Sequence, residues 1–327
     1  MSKKINFINI LTILFLLGCT STEENQLSIP YEKYELDNGL KIILHKDNSD
    51  PLVAISTIVH VGSNREKPGK TGFAHFFEHM AFTASENTPR GANRLLIPTW
   101  GGSRNGGTSF DYTIYYEVVP KDALEKLMWI DSDRLGFMIN TVDAETLEGE
   151  IQVVKNEKRQ RVDNQPYGHS SGIIQKALYP EGHPYSWSVI GELEDLQAAT
   201  IEDVKEFYYE FYGPSNATVV IAGDIEFEET KQLVERWFGE IKPNKNVIEK
   251  PEVRLVKLSE TKKLYHLDKY AQLPQISMTF PTVEQYSKDS YALNTLGEIL
   301  SDGRNSVFYK EIIEKQKLAP AANAYNY

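Results

Sequence analysis

The sequence has a single cysteine, Cys19, among its 327 residues, so an intramolecular disulfide is excluded. Basic residues are also in short supply: 35 Lys and Arg stand against 46 Asp and Glu, which gives a formal net charge of −11. Binding to nucleic acid or to an anionic membrane surface needs basic patches, and this balance disfavours both as a main activity. We therefore expect a disulfide-free protein with no nucleic-acid partner.

Long hydrophobic runs are scarce, and the one that stands out lies at the N-terminus. Residues 5–17 are almost wholly apolar, follow two lysines and lead into Leu-Leu-Gly-Cys at residues 16–19. The run is too short to span a bilayer, which takes about 20 residues, but it is typical of an export signal. The ending resembles a bacterial lipobox, in which the cysteine is lipidated; the alternative is a buried N-terminal strand with an incidental cysteine.

The N-terminal pattern predicts a location as well as a modification. We predict a lipoprotein signal peptide over residues 1–19, lipidation at Cys19 and a tether over residues 20–29. The mature protein would then be anchored by lipid in the bacterial cell envelope, facing the periplasm or the outside.

Strands and helices alternate irregularly after Pro30, which favours an α+β fold over a doubly wound sheet. Asp37-Asn38-Gly39 predicts the turn of a hairpin over residues 34–45, and a loop is expected around residues 89–91. Further strands are predicted at 52–61, 109–119 and 217–222, and helices at 69–83, 121–138, 143–161, 172–178, 200–211 and 228–238.

The chain is long enough for about two domains. Residues 30–241 are predicted to form the first, and the charged, proline-containing segment 242–262 a linker. Residues 263–327 are predicted to begin a second domain, with two strands over 263–280 and a helix over 288–300. That stretch is short for an independent core, so the second domain is predicted to be incomplete.

Two histidines and a glutamate stand close together in His75-Phe-Phe-Glu78-His79. On a helix, residues i and i+4 lie on one face, so His75 and His79 could hold one ion through two imidazole nitrogens. The Glu78 carboxylate reaches the same side, where it could take a proton from water activated by a metal. Alternatively, the three are polar residues scattered through an amphipathic helix. Phe76 and Phe77 are interpreted as core residues of the same helix.

A catalytic zinc site needs a third protein ligand. Glu150 and Glu157 both qualify, because they are seven residues apart in the predicted 143–161 helix and lie on nearly the same face. Either could instead be a solvated charge. The remaining histidines show no ligand spacing and are interpreted as surface or core residues: His45, His60, His169, His183 and His266.

The sequence resembles the pitrilysin/insulinase family of zinc metallopeptidases, which includes the mitochondrial processing peptidases. The resemblance rests on the inverted motif His75-x-x-Glu78-His79 with its flanks, residues 72–82, and on Val-Val-Lys-Asn-Glu-Lys-Arg-Gln at residues 153–160. It covers nearly everything from Pro30 onward. It implies tandem α+β domains, each a mixed or antiparallel sheet packed by helices.

The resemblance also implies roles for individual residues. His75, His79 and Glu157 match the family's zinc ligands, which implies one Zn²⁺ per chain. Glu78 matches the general base, and Glu150 matches a second acidic residue that supports or orients the site.

A glycine-rich segment at residues 101–109 resembles the family's edge strand, which pairs with the backbone of a peptide substrate. Asn105, Gly106 and Thr108 are therefore candidate substrate-binding residues, although glycine stands at Gly106 where the family pattern has alanine. An ordinary glycine-rich loop is the alternative.

Active family members also use an arginine and a tyrosine from another half to grip the scissile carbonyl. The comparable positions here fall at about Ile313 and Pro320, which cannot do so. The resemblance therefore implies a partner half-subunit, or a further C-terminal half, that supplies the pair. We expect a zinc-dependent endopeptidase acting on peptides or unfolded polypeptides. The alternative is a non-catalytic or partner-dependent scaffold or peptide-binding subunit of a two-part peptidase; another zinc hydrolase, such as an amidase, would leave the flanking sequence unexplained.

Overall fold

The computed structural model describes residues 28–245, 249, 253 and 255–327. The predicted signal peptide with Cys19 lies outside these residues, as do most of the predicted tether and part of the predicted linker. None of the helices in the described part of the chain is long and apolar enough to cross a bilayer.

A six-stranded mixed sheet organises the first two thirds of the described chain. Its strands are β1 (Glu32–Glu35), β2 (Lys41–Lys46), β3 (Leu52–Val59), β4 (Ser103–Thr108), β5 (Thr113–Pro120) and β6 (Ala217–Gly223). Their spatial order is β1-β2-β6-β3-β5-β4. The β2–β6 pair is parallel and the other neighbouring pairs are antiparallel. Strand β4 therefore lies at one edge of the sheet.

Helices connect and cover these strands. They are α1 (Phe73–Met80), α2 (Ala92–Thr99), α3 (Leu124–Phe137), α4 (Ala144–Lys158), α5 (Ser170–Leu178), α6 (Leu193–Gln197), α7 (Ile201–Phe211), α8 (Phe227–Phe238) and α9 (Lys288–Ser301). Short 3₁₀ turns lie at Ser63–Arg65, Lys121–Ala123, Met138–Thr141 and Pro214–Asn216, and π-helical turns at Arg159–Asp163 and Tyr309–Lys315. The predicted α+β fold, a mixed sheet packed by helices, is confirmed.

Local sequence explains several element boundaries. The β1–β2 hairpin turns at Gly39, whose φ of +86° suits glycine, as the sequence predicts. Helix α4 is capped by Asp143, whose side chain accepts a hydrogen bond from the Thr146 backbone N–H at 2.8 Å. Strand β3 lies in the middle of the sheet and buries every second side chain, including Val53 and Ile55.

A buried ion cluster joins α3 to the sheet. Arg134 donates one hydrogen bond to Glu117 at 2.8 Å and another to Asp131 at 2.6 Å, and all three side chains are almost wholly excluded from solvent. The guanidinium also lies 4.5 Å from the ring centroid of Tyr115. Burial raises the pKa of Asp131 well above its ordinary value despite the adjacent guanidinium.

Three predicted boundaries were wrong, and one helix was missed. The helix predicted over 69–83 is shortened to α1, because Gly72 adopts a left-handed φ of +86° at its N-cap. The strand predicted from residue 109 begins only at Thr113, since residues 109–112 form a turn closed by the Ser109 N–H bonding to the Tyr112 carbonyl at 2.8 Å. The long helix predicted to residue 161 becomes π-helical after Lys158. Helix α2 directly follows the predicted loop at 89–91 and was not foreseen.

The two strands predicted over residues 263–280 were also wrong. The structure shows no strand there, and apolar side chains such as Leu267 (98% exposed) and Ile276 (89%) face solvent. A strand needs a neighbour to receive its backbone hydrogen bonds. Among the described residues, none pairs with this segment as a strand, so the alternating apolar pattern stays extended and irregular. The predicted helix at 288–300 corresponds to α9.

Candidate metal centre

Helix α1 carries His75, Glu78 and His79, and its N-terminus is buried. The Glu66 carboxylate accepts hydrogen bonds from the backbone N–H groups of Gly72 and Ala74, both at 2.9 Å, and so satisfies two donors at the helix N-terminus. Burial raises the pKa of Glu66 to about 8, against these two N–H groups, which lower it.

The opposite face of α1 anchors the helix in the core. Phe76 and Phe77 are buried, as the sequence predicts, and the ring of Phe77 stacks on that of Phe207 in α7 with centroids 5.0 Å apart. The side chains of His75, Glu78 and His79 therefore project from a helix whose apolar face packs in the core.

Helix α4 brings two acidic residues to the same place. Val154 is fully buried, and the Glu157 and Glu150 side chains lie on the side of α4 that faces α1. Oε2 of Glu157 is 2.9 Å from Nε2 of His79 and 3.5 Å from Nε2 of His75. Spacing alone left both glutamates open as third ligand, and the structure places Glu157 against the two histidines.

One donor atom each from His75, His79 and Glu157 can be chosen so that all three lie within 4.8 Å of one another. This is the one group of at least three His, Cys, Asp or Glu donors found in the described residues. Two imidazole nitrogens and a carboxylate oxygen match a hydrolytic zinc set, in which a further position is left for water. The donor set therefore fits a zinc ion.

The surroundings shift the pKa values of the three candidate ligands in different directions. Burial, together with nearby His79, lowers the pKa of His75 to about 4, so that this imidazole is neutral near pH 7. Burial, the largest single influence, lowers the pKa of His79, but the hydrogen bond to Glu157 and the negative charges of Glu157, Glu78 and Glu150 together raise it above its ordinary value. The same hydrogen bond lowers the pKa of Glu157. Glu157 is thus ionised and His75 is a free nitrogen donor.

Glu78 lies beside this group without joining it. Its Oε2 is 4.0 Å from Nε2 of His75, and it accepts a 3.4 Å hydrogen bond from the Thr108 hydroxyl on β4. Burial raises the pKa of Glu78, and the neighbouring negative charge of Glu157 adds to this rise. A carboxylate with a raised pKa is a better proton acceptor, as a general base requires.

Glu150 approaches the site from the far side of His79. Its Oε2 lies 4.0 Å from Nδ1 of His79, the nitrogen that does not face Glu157. Burial raises the pKa of Glu150. A carboxylate on that side can orient an imidazole ligand, although the distance here exceeds a hydrogen bond.

Strand β4 borders the centre and carries the candidate substrate-binding residues. It pairs with β5 through Asn105 opposite Tyr116 and Gly106 opposite Tyr115, and within the described residues its other edge has no partner strand. A Cβ on Gly106 would lie 2.9 Å from the Phe82 ring and 3.1 Å from the Ile114 carbonyl oxygen. Glycine is therefore required sterically at a position where the family pattern has alanine.

Sequence reasoning missed Arg161. Its Nη1 lies 2.8 Å from Oε1 of Glu157, the carboxylate oxygen that faces away from the histidines. The i, i+4 spacing of a glutamate and an arginine was the available signal. Arg161 partly neutralises the oxygen that the other candidate ligands do not contact.

The family resemblance expects an arginine and a tyrosine at two positions of this chain. The residues found there cannot grip a scissile carbonyl. Ile313 falls in the Tyr309–Lys315 π-helical turn and Pro320 in the irregular segment after it. Neither side chain can donate a hydrogen bond to a carbonyl.

Comparison with known proteins finds matches along most of the chain. Residues 41–182 match the family model described as insulinase (peptidase family M16), and residues 198–327 match that of the peptidase M16 inactive domain. Zinc protease PqqE of Helicobacter pylori is 29% identical over 316 residues, covering 96% of this chain and 70% of the relative. The uncharacterized zinc protease YmxG of Bacillus subtilis is 26% identical, covering 90% of this chain and 70% of the relative.

Solved structures give the same result. The crystal structure of a protease from Helicobacter pylori matches with a TM-score of 0.80 at 26% identity, covering 92% of this chain and 72% of that one. Pitrilysin matches with a TM-score of 0.60 at 23% identity over 70% of this chain and 25% of its own, which concerns the fold alone. Both halves of the described chain thus correspond to the same family, and the protein belongs to the M16 family of peptidases.

Proposed function

We propose that this chain is a zinc-dependent endopeptidase that hydrolyses peptides or unfolded polypeptides. The observation that carries the proposal is the convergence of His75, His79 and Glu157, with Glu78 directly beside them. The zinc protease names of several relatives support the same class of reaction. One zinc ion per chain would be held by these three residues and would supply the Lewis acidity that acidifies water and polarises a peptide carbonyl.

The chain's own residues handle the proton. Glu78 accepts a proton from the water that attacks the carbonyl carbon, and it delivers that proton to the leaving amine as the C–N bond breaks. The Thr108 hydroxyl, which donates to Glu78 at 3.4 Å, holds the carboxylate in place before it accepts the proton. Glu150 acts through His79 by favouring one orientation of the imidazole.

The free edge of β4 supplies a way to hold a substrate. An extended peptide would add to the sheet alongside Asn105, Gly106 and Thr108, with main-chain hydrogen bonds to the strand. Strand addition recognises backbone more than side chains, so unfolded polypeptides are the expected substrate class. The same strand contacts Glu78 through Thr108, which places a bound backbone next to the base.

Metal removal tests the proposal. The zinc-loaded chain should cleave an unstructured fluorogenic peptide internally, lose this activity on treatment with a chelator and regain it when one equivalent of zinc returns. Mass spectrometry should show new internal termini. Cleavage that persists in the metal-free protein would overturn the proposal.

A second candidate function is a partner-dependent or non-catalytic subunit of a two-part peptidase. It is favoured by Ile313 and Pro320 at the positions of the carbonyl-gripping pair, and by the match of residues 198–327 to a domain described as inactive. A solved relative is described as the first half of the periplasmic protease PqqL from Escherichia coli. If zinc binds but cleavage requires a second polypeptide bearing an arginine and a tyrosine, this alternative replaces activity of the chain alone.

We also propose that the protein is a lipid-anchored component of the cell envelope. The support is the apolar run at residues 5–17 followed by Leu-Leu-Gly-Cys19. Metabolic labelling with a fatty-acid analogue should mark the wild-type protein and not Cys19→Ala. Equal labelling of both would overturn the anchor without affecting the proposed chemistry.

A further inference from the structure

Three segments meet behind the candidate metal centre: the two residues before α1, the end of α4, and a loop before α6. We name Ile190, Gly191 and Glu192 the clasp. The clasp contacts the start of the helix that carries His75 and His79 and also the residue that follows Glu157. It therefore connects the two helices that hold the candidate ligands.

Two backbones touch where the clasp meets α1. A Cβ on Gly72 would lie 2.7 Å from the Ile190 carbonyl oxygen, and a Cβ on Gly191 would lie 2.4 Å from the Gly72 nitrogen. Both glycines have positive φ, +86° and +72°. A side chain would clash at either Gly72 or Gly191. The clasp and the start of α1 can therefore approach this closely only because both residues are glycine.

The Thr71 hydroxyl stabilises this contact, because it donates one hydrogen bond and accepts another. The hydroxyl donates to Oδ2 of Asp195 at 2.6 Å and accepts from the Glu192 backbone N–H at 2.9 Å, while the Thr71 backbone N–H also donates to Asp195 at 3.0 Å. Thr71 is buried, with 4% exposure. Removing its hydroxyl would take the acceptor from the half-buried Glu192 N–H and one of two Thr71 donors from Asp195.

Lys158 links the clasp to the end of α4. Its ammonium donates to the Gly191 carbonyl oxygen at 2.6 Å and lies 3.4 Å from the Glu192 carboxylate. Its side chain is 13% exposed, which is unusual for a lysine at a helix end. Lys158 directly follows Glu157 in the chain. Its contacts with the clasp therefore hold the last turn of α4, which carries the candidate third ligand.

We infer that Thr71 and Lys158 are positioning residues for the metal centre: through the clasp they set the distance between the histidine pair on α1 and Glu157 on α4. The inference rests on the proposed function, because it concerns the ligand set of the proposed zinc site. Ligands held at a fixed separation before the ion arrives bind more tightly than ligands that must be ordered by it. Neither residue contacts the ligand atoms, so the proposed effect is on the relative placement of α1 and α4.

The test compares a matched set of variants. Thr71→Val keeps the shape and removes the hydroxyl, Thr71→Ser keeps the hydroxyl, and Lys158→Met removes the ammonium. Lys176→Met is the control, because Lys176 also pairs with Glu192, at 3.1 Å, but is largely exposed and does not contact Gly191. Zinc affinity is measured by competition with a chromophoric chelator, and the ligand field by the visible absorption spectrum of the Co²⁺-loaded protein.

Thr71→Val and Lys158→Met should each weaken zinc binding by about 10-fold to 100-fold, the effect typical of residues that orient ligands. Both should also shift the Co²⁺ spectrum, whereas Thr71→Ser and Lys176→Met should match wild type in both. If wild-type protein binds zinc and the Val and Met variants bind it equally well with an unchanged spectrum, the inference is wrong and the proposed function stands. If wild-type protein binds no zinc, both fall.

Discussion

Nε2 of His79 lies 2.9 Å from Oε2 of Glu157, although the two residues are 78 positions apart in the chain. The contact closes a group of donors whose third member is His75. The contact directs both side chains at the centre that His75 also borders.

Glu157→Gln should weaken zinc binding by more than about 100-fold, beyond the range seen when only an orienting partner is lost. The amide removes the negative charge that the metal would neutralise and is a poorer ligand. Glu148→Gln is the matched control, since Glu148 is exposed on the same helix and contacts Gln152 instead of the site. Titration calorimetry with zinc separates the two; equal affinities in both variants would rule out Glu157 as a ligand.

Gly106→Ala should destabilise the protein by about 1–3 kcal/mol, the usual cost of overpacking, and raise KM for peptide. The added Cβ would press against the Phe82 ring and the Ile114 carbonyl oxygen and displace the β4 edge. The neighbouring Gly107→Ala is the control, because nothing lies within 4 Å of a Cβ built there. Chemical denaturation and steady-state kinetics measure both effects. A Gly106→Ala protein as stable as the Gly107→Ala protein would contradict the steric argument.

Arg134→Met should cost about 3–5 kcal/mol of stability, because it leaves Glu117 and Asp131 in the core without their cation. Arg236→Met provides a surface comparison: its 2.7 Å pair with Glu125 is solvent-exposed and should contribute less than about 1 kcal/mol. Urea denaturation of both variants tests the difference. Similar losses in the two would show that burial does not govern the contribution of the Arg134 cluster.

The stability of the protein should depend on the protonation of Glu66. Its folded pKa of about 8 lies above the ordinary value of 4.5, so the folded protein binds a proton that the unfolded chain has released. This contribution to stability is complete below pH 4.5 and is lost as the pH rises to about 8. The free energy of unfolding of wild type relative to Glu66→Gln should therefore fall between pH 5 and pH 8, by at most about 1.4 kcal/mol per pH unit. Parallel pH profiles for the two proteins would show that Glu66 is not the group responsible.

Much of the sheet could be predicted because its signals are local. The Asp37-Asn38-Gly39 turn and the β-branched, mostly apolar run of β3 each lie within the element they define. The segment at 263–280 shows the limit of that reasoning. Its β-prone residues have the right pattern, but strand formation depends on a partner, and the described chain places none beside it.

The candidate site, too, could be predicted only where its signals are local. Helical spacing brings His75, Glu78 and His79 to one face, but spacing alone could not choose between Glu150 and Glu157. That choice depends on how α1 and α4 pack. The clasp and the burial of Glu66 were invisible in the sequence, because a loop contact such as Gly191 against Gly72 follows no periodic pattern.

The most direct test of the central claim is one measurement on Glu78→Gln: zinc content and peptide cleavage determined in the same preparation, beside wild type. Glu78 lies next to the candidate ligands without being one of them, so the variant should bind zinc as wild type does. Its cleavage rate should fall by about 100-fold or more, as expected when a general base is lost. A zinc-loaded Glu78→Gln protein that cleaves peptide at the wild-type rate would contradict the account.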